Sequence, residues 1–186
     1  RIEAGTLLCA GAITGGNICL NYKNANHITP ILNKLEEAGC NIKVEKNRIY
    51  MQAPKKLKAV DIKTMPYPGF PTDMQSIFAS ILTTAKGTSV IVENIFENRY
   101  RYTAELNKMG ANITAQGKTA FFEGVNSLSG APVYATDLRA GAALIIAGII
   151  ANGTTELYNL EHIDRGYENI EMKFRNLGAN IVRVTE

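Results

Sequence analysis

The sequence predicts an α/β fold with mixed sheets, in which one structural unit occurs three times along the chain. Two sets of glycines recur in step. The first set follows an apolar, helix-like segment in each copy: Gly16, Gly87 and Gly153. The second set ends an amphipathic segment in each copy: Gly39, Gly110 and Gly178. Both sets repeat at intervals of about 70 residues, which indicates an internal repeat rather than unrelated turns.

Each copy predicts the same order of elements: an apolar helix, a glycine turn, a β-branched strand, a loop, an amphipathic helix and two short strands. In the second copy these elements are expected at residues 72–85, 89–93, 102–108, 112–116 and 120–123. The glycine that follows the amphipathic helix is expected to take the left-handed conformation that ends a helix, since glycine has no Cβ to oppose it.

The complete unit is a βαβαββ unit, and the copies are expected at about residues 1–71, 72–136 and 137–186 of a single domain. The first helix of each copy is apolar all round, which is typical of a buried helix. We therefore expect the three apolar helices to pack together around an approximate threefold axis, with the sheets outside them. The first strand of copy one is missing from the sequence, so its sheet is expected to be one strand short.

The composition favours a globular domain in a reducing compartment. The chain has 186 residues, 46% of them apolar, and its 20 Lys and Arg against 17 Asp and Glu leave a net charge of only +3. The basic residues are scattered, which argues against nucleic-acid binding. No apolar run approaches the roughly 20 residues that cross a bilayer. Three cysteines without a C-x-x-C pair suggest reduced packing residues and a cytoplasmic location: Cys9, Cys19 and Cys40.

The repeat predicts that polar residues from different copies meet at one end of the domain. Arg99 and Arg165 follow Gly87 and Gly153 by the same number of residues, so they should occupy equivalent loops. In copy one this position holds Ile28, so the fold itself does not require an arginine there.

Acidic residues stand at the start of two apolar helices, where both Asp73 and Asp137 follow a threonine. Helix capping is the simplest role for either aspartate, because a carboxylate there accepts hydrogen bonds from free N–H groups. Arginines such as Arg139 bind phosphate and carboxylate bidentately, so the same rim also suits an anionic ligand. The sequence has no metal-ligand spacing and no nucleotide-binding glycine loop, and it predicts no metal and no cofactor.

Several long segments resemble the UDP-N-acetylglucosamine enolpyruvyl transferases, and the resemblance covers nearly the whole chain. They are "RIEAGT", "YPGFPTDMQ", "IFENRY", "LNKMGANI", "ATDLRAGAALIIAGI" and "GTTELYNLEHIDRGYENIEMKFRNLGANI". The resemblance implies an inside-out α/β domain of the EPSP-synthase-like type. It also implies transfer of an enolpyruvyl group from phosphoenolpyruvate to the 3-hydroxyl of UDP-N-acetylglucosamine, in the first committed step of peptidoglycan synthesis. The chain does not begin with methionine, and we expect it to be the C-terminal domain, inactive without a missing N-terminal-side domain.

The resemblance also assigns roles to individual residues. It implies that Asp73 hydrogen-bonds the sugar hydroxyl and acts as the base, with Thr72 beside it. Ile95 and Phe96 are expected to contact the uridine-linked sugar, and Arg165 is expected to meet phosphoenolpyruvate. The remaining implied active-site residues are Arg99, Asp137 and Arg139.

Two other functions are also compatible with the sequence. A shikimate-pathway enolpyruvyl transferase shares the fold and the phosphoenolpyruvate chemistry. A non-catalytic RNA-binding domain is a second alternative, because repeats of this unit occur in RNA-processing proteins, although the aromatic residues here do not cluster with lysines.

Overall fold

Helices and strands follow one order in three consecutive units of the computed structural model, which describes residues 1–184. Unit one contains α1 (Ile2–Ile13), β1 (Asn17–Asn21), α2 (Thr29–Glu37), β2 (Asn41–Glu45) and β3 (Arg48–Gln52). Unit two contains β4 (Ile62–Lys63), α3 (Gln75–Leu82), β5 (Thr88–Val92), α4 (Arg101–Lys108), β6 (Asn112–Gln116) and β7 (Thr119–Glu123). Unit three contains β8 (Pro132–Tyr134), α5 (Leu138–Ile150), β9 (Glu156–Tyr158), α6 (Glu161–Asp164) and α7 (Ile170–Asn176). Short 3-10 helices precede α2 and α3, at Ala25–Ile28 and Thr72–Met74.

Each unit forms a sheet of its own, and the sheet of unit two has the most strands. There the order is β4-β5-β7-β6, with β4 parallel to β5 and the other pairs antiparallel. Unit one has the order β1-β3-β2, and unit three has β8 parallel to β9. The α/β fold of repeated units predicted from the sequence is confirmed.

The apolar helices α1, α3 and α5 pack against one another in the middle of the molecule. Every residue of α3 is buried, and Leu8, Phe78 and Leu144 have no exposed surface. Helices that are apolar all round need such surroundings, because any exposed side would leave apolar surface in water. The core therefore lies between the units, and the sheets lie outside it.

The glycines that follow the amphipathic helices have the predicted left-handed conformation, with φ of 106° at Gly39, 89° at Gly110 and 98° at Gly178. In the other set, Gly87 and Gly153 have positive φ, whereas in copy one the positive φ belongs to Gly15 and not to Gly16.

Two sequence predictions about helix and strand ends were wrong. The helix expected at residues 72–85 begins as a 3-10 turn and ends at Leu82. It ends early because Lys86 joins the neighbouring segment, donating to the Leu57 carbonyl and accepting from the Ala59 N–H. The final strand pair expected in copy three is absent from residues 179–184, where Arg175 donates to the Ile181 carbonyl and no strand pairs with this segment.

The cysteines differ in their surroundings. Cys9 and Cys40 are buried, and burial raises the pKa of the Cys40 thiol to about 11 and also raises the pKa of Cys9. Cys19 is exposed on β1, so the prediction that it packs in the interior was wrong. Strand β1 lies at the edge of its sheet with alternating exposure, and Cys19 falls on the outer side. Among residues 1–184 no helix is long and apolar enough to cross a membrane.

Candidate active site

An ion pair joins the helix starts of units two and three. The Arg139 Nε donates to Asp73 Oδ1 at 2.5 Å, and the two side chains are 29% and 35% exposed. Asp73 lies in the 3-10 turn that leads into α3, and Arg139 lies in the first turn of α5. Because α3 and α5 pack together in the core, their starts come close at one rim of the molecule. A carboxylate and a guanidinium that both keep access to solvent can also reach a ligand.

The two aspartates that follow a threonine have different roles in the fold. Asp137 caps α5, since its Oδ1 accepts from the N–H groups of Arg139 at 2.8 Å and Ala140 at 3.1 Å. Capping was the correct interpretation for Asp137. It was wrong for Asp73, whose carboxylate makes no capping hydrogen bond, because the 3-10 turn begins before it at Thr72. The Asp73 carboxylate is therefore directed to Arg139 rather than to its own helix.

Glu93 accepts hydrogen bonds from the neighbouring loop, and it is not among the site residues predicted from the sequence. It follows β5, is 1% exposed, and accepts four hydrogen bonds. Oε1 accepts from Thr64 Oγ1 at 2.8 Å and from the N–H groups of Ile95 at 2.8 Å and Phe96 at 3.2 Å. Oε2 accepts from Thr72 Oγ1 at 2.9 Å. The sequence does contain a signal for this residue, since an acidic residue directly follows an apolar strand in "TSVIVEN".

Phe96 and Arg99 form the outer part of the same loop. The Arg99 guanidinium lies 4.3 Å from the centre of the Phe96 ring, within the range of a cation–π contact. Ile95 is 36% exposed and Phe96 is 51% exposed, so both present apolar surface to solvent beside a positive charge.

Arg165 is exposed at the end of α6, in a loop with close contacts on several sides. A Cβ added at Gly166 would lie 2.6 Å from a methyl group of Leu138, so this part of the loop fits directly against the start of α5. The Tyr167 hydroxyl lies 2.7 Å from Thr6 Oγ1 in α1. Next to Arg165, Asp164 accepts two hydrogen bonds from Arg183, at 2.7 and 3.0 Å.

The structure therefore brings together two groups of the predicted site residues, which meet where Thr72 and Asp73 are adjacent in the chain. One group is built around Glu93 and includes Thr72, Ile95, Phe96 and Arg99. The other contains Asp73, Asp137 and Arg139. Arg165 makes no side-chain contact with either group in the described hydrogen bonds and ion pairs, but its loop packs on the residue beside Arg139.

This rim can perform proton transfer and anion binding. A partly exposed carboxylate can accept a proton from a ligand hydroxyl, and arginines can hold phosphate or carboxylate groups while charge shifts. Within residues 1–184 there is no group of three or more His, Cys, Asp or Glu that could hold a metal ion.

A family model described as EPSP synthase (3-phosphoshikimate 1-carboxyvinyltransferase) matches residues 1–174. The chain therefore belongs to this family of enolpyruvyl transferases. An enolpyruvyl transferase of Streptomyces tendae, NikO, is similar in structure with a TM-score of 0.87 and 26% identity, over 96% of this chain and 43% of that one. EPSP synthase from Acinetobacter baumannii shares the fold with a TM-score of 0.75 at 18% identity, over 100% of this chain and 46% of that one.

Within the family, the similar curated relatives carry the name UDP-N-acetylglucosamine 1-carboxyvinyltransferase. Those of Caldanaerobacter subterraneus and Geotalea uraniireducens are 52% and 53% identical over 98% and 100% of this chain. The chain spans only 44% and 45% of the length of these two proteins. A relative from Desulfofundulus thermocisternus is 54% identical over 98% of the chain, and the chain covers 75% of it.

Proposed function

We propose that this chain supplies one half of the active site of a UDP-N-acetylglucosamine 1-carboxyvinyltransferase. The reaction transfers an enolpyruvyl group from phosphoenolpyruvate to the 3-hydroxyl of the sugar and releases phosphate. The observation that carries the proposal is the identity of 52–54% along the whole chain to relatives with this name. The paired Asp73 and Arg139 on an accessible rim support it, because the reaction needs a proton acceptor beside cations.

In this proposal Asp73 accepts the proton of the sugar hydroxyl. The hydroxyl oxygen adds to the substituted carbon of phosphoenolpyruvate while the methylene carbon takes up a proton, giving a tetrahedral intermediate. Loss of phosphate from that carbon and of a proton from the new methyl group then forms the enolpyruvyl ether. Arg139 holds the Asp73 carboxylate in place before the substrate arrives, and Thr72 fixes the turn that carries it.

The other predicted residues divide between the two substrates. Ile95 and Phe96 offer backbone and apolar surface to the uridine-linked sugar. Arg165 binds phosphoenolpyruvate, and Arg99 adds positive charge beside Phe96. Asp137 holds the first turn of α5, and with it the backbone of Arg139.

The partners in this proposal are the two substrates and the remainder of the same enzyme, with no nucleic acid, membrane, metal or cofactor. A cytoplasmic location belongs to the same proposal and is supported by three cysteines that are all free thiols. Membership of the enolpyruvyl transferase family does not favour the RNA-binding alternative. The higher identity to the amino-sugar enzymes disfavours the shikimate-pathway alternative.

The test is phosphate release with UDP-N-acetylglucosamine and phosphoenolpyruvate, using an enzyme of the relatives' full length that contains these residues. Asp73→Asn should lower kcat by about 100-fold or more, as expected for loss of a general base. Asp61→Asn is the matched control, since Asp61 is an exposed aspartate that accepts only from the Val90 N–H among the described hydrogen bonds. Equal rates for the Asp73 variant and the wild type would refute the role of Asp73.

The 186-residue chain alone should release no phosphate, because the proposed site is completed by residues outside it. Adding the remaining part of the enzyme in trans should restore turnover. Turnover by the chain alone would contradict the half-site proposal, and turnover with shikimate 3-phosphate instead of the amino sugar would contradict the substrate.

A further inference from the structure

We propose that Glu93 is a positioning residue that holds both substrate-facing loops of unit two in one arrangement. This proposal rests on the function proposed above, because the loops that Glu93 joins carry Thr72, Asp73, Ile95 and Phe96. Glu93 itself is buried and touches no substrate in this proposal. Its role is to set the distance between the proposed base and the proposed sugar-binding surface.

Parallel strands bring Glu93 to the point where the two loops begin. Strands β4 and β5 pair in parallel, so Thr64 after β4 and Glu93 after β5 leave the sheet at the same edge. Thr64 has no exposed surface, donates to Glu93 Oε1 at 2.8 Å, and accepts from the Asn94 N–H at 2.8 Å. The two strand ends are therefore linked to each other before either loop reaches the surface.

The two carboxylate oxygens of Glu93 divide between the loops. Oε1 accepts from the consecutive N–H groups of Ile95 and Phe96, which fixes the backbone direction of the sugar-facing loop. Oε2 accepts from Thr72, whose neighbour is Asp73. The Glu93 carboxylate thus connects the main chain at Ile95 with the side chain of Thr72, which directly precedes the proposed base Asp73.

A buried carboxylate needs these hydrogen bonds, and the bonds gain strength from its charge. A buried charge without partners is costly, whereas hydrogen bonds to an ionised group are roughly twice as strong as neutral ones. The four donors to Glu93 are two threonine hydroxyls and two backbone N–H groups, all of them neutral. A glutamine would keep the size of the side chain but would lose the charge and replace one acceptor by a donor.

The decisive variant is Glu93→Gln in the full-length enzyme, assayed for both substrates. We expect KM for UDP-N-acetylglucosamine to rise about tenfold, as for the loss of one charge-assisted hydrogen bond, while KM for phosphoenolpyruvate changes less than about twofold. Thr72→Val removes the hydrogen bond between Thr72 and Glu93, so it should also raise KM for UDP-N-acetylglucosamine. In the double variant, the rise in KM should be smaller than the product of the two single rises. Glu105→Gln is the matched control, because Glu105 is a buried carboxylate of the same unit that accepts from the Tyr134 N–H and pairs with Lys108.

Amide hydrogen exchange provides a readout that does not depend on catalysis. Without substrates, exchange at Ile95 and Phe96 should be about tenfold or more faster in Glu93→Gln than in the wild type, and unchanged there in Glu105→Gln. Unchanged exchange in the Glu93 variant would overturn the proposal. The proposal would also be overturned if the wild-type enzyme is active and Glu93→Gln shows faster exchange but the same KM for the sugar nucleotide. If the wild type releases no phosphate, the function fails, and hydrogen exchange alone still decides whether Glu93 holds the loops.

Discussion

At the scale of single residues, Asp73 and Asp137 show that one short motif can serve two purposes. Both follow a threonine at the start of an apolar helix. Asp137 has extended backbone angles, with φ of −163°, and its carboxylate turns back to the helix N–H groups. Asp73 lies inside a 3-10 turn, so its carboxylate points away from the helix start and meets Arg139. Local backbone geometry therefore decides whether the carboxylate caps its own helix or pairs with a side chain of another unit.

Removal of the Asp137 cap should destabilise the chain. We expect Asp137→Ala to lower the free energy of unfolding by about 1 kcal/mol, because two N–H groups of α5 lose their acceptor. Urea denaturation of the 186-residue chain measures this change. Asp137→Asn is the control, since asparagine caps a helix about as well, and an equal loss in both variants would mean that charge rather than capping is responsible.

At the scale of elements, the contacts around α6 determine where Arg165 lies. Arg183 donates to Asp164 through two nitrogens and also to Glu171, which ties the segment after α7 to the residue next to Arg165. The hydrogen bond from Arg183 holds the pKa of Asp164 below its ordinary value of 3.8. Arg183 in turn has its pKa raised by the same bond.

The Arg183 network should make a pH-dependent contribution to stability. A lowered pKa in the folded state means that the contribution of Asp164 is complete above its unfolded pKa and is lost as the pH falls through the folded pKa. At pH 7, Arg183→Gln should lower the free energy of unfolding by at most about 1 kcal/mol, because the network is partly exposed.

Urea denaturation at a series of pH values checks this prediction. The difference in free energy of unfolding between the wild type and Arg183→Gln should become smaller as the pH falls below about 4, where the Asp164 carboxylate becomes protonated. Lys43→Gln, which removes a pair between exposed residues of β2, should show no comparable narrowing. A difference that stays constant down to the acid range would show that Arg183 acts through packing rather than charge.

At the scale of the whole molecule, the three central helices connect the units into one core. Phe78 of α3 is completely buried and meets Phe70 edge to face, with 5.5 Å between ring centres. Phe121 is also in unit two but is 42% exposed on β7. We therefore expect that a phenylalanine contributes to the free energy of unfolding according to its distance from the central helices, and not according to the unit to which it belongs.

Truncation of these two rings tests the central core. Phe78→Ala should lower the free energy of unfolding by about 3–5 kcal/mol, because it leaves a cavity between the packed helices. Phe121→Ala should cost less than about 1 kcal/mol, as for most surface substitutions. Calorimetry of the 186-residue chain and both variants compares them, and similar losses would contradict a core that lies between the units.

Much of this architecture could be predicted from the chain. Local residue patterns predict the apolar helices, the glycines of left-handed conformation and the strands 112–116 and 119–123. The predicted bounds of these two strands agree with the structure within one residue. The strand pair expected at the end of copy three could not be judged in this way. A strand needs a partner to satisfy its N–H and C=O groups, and the local sequence does not say whether one is present.

The candidate site was only partly predictable, because its residues come together through packing. The repeat, the fold class and the residue types at the rim follow from the sequence alone, since periodicity and glycine positions are local properties. The pairing of Arg139 with Asp73 across two units, and the link that Glu93 makes between two loops, arise only when the chain packs. Those contacts depend on how α3 meets α5 and on how β4 aligns with β5, which are distances between parts of the chain far apart in sequence.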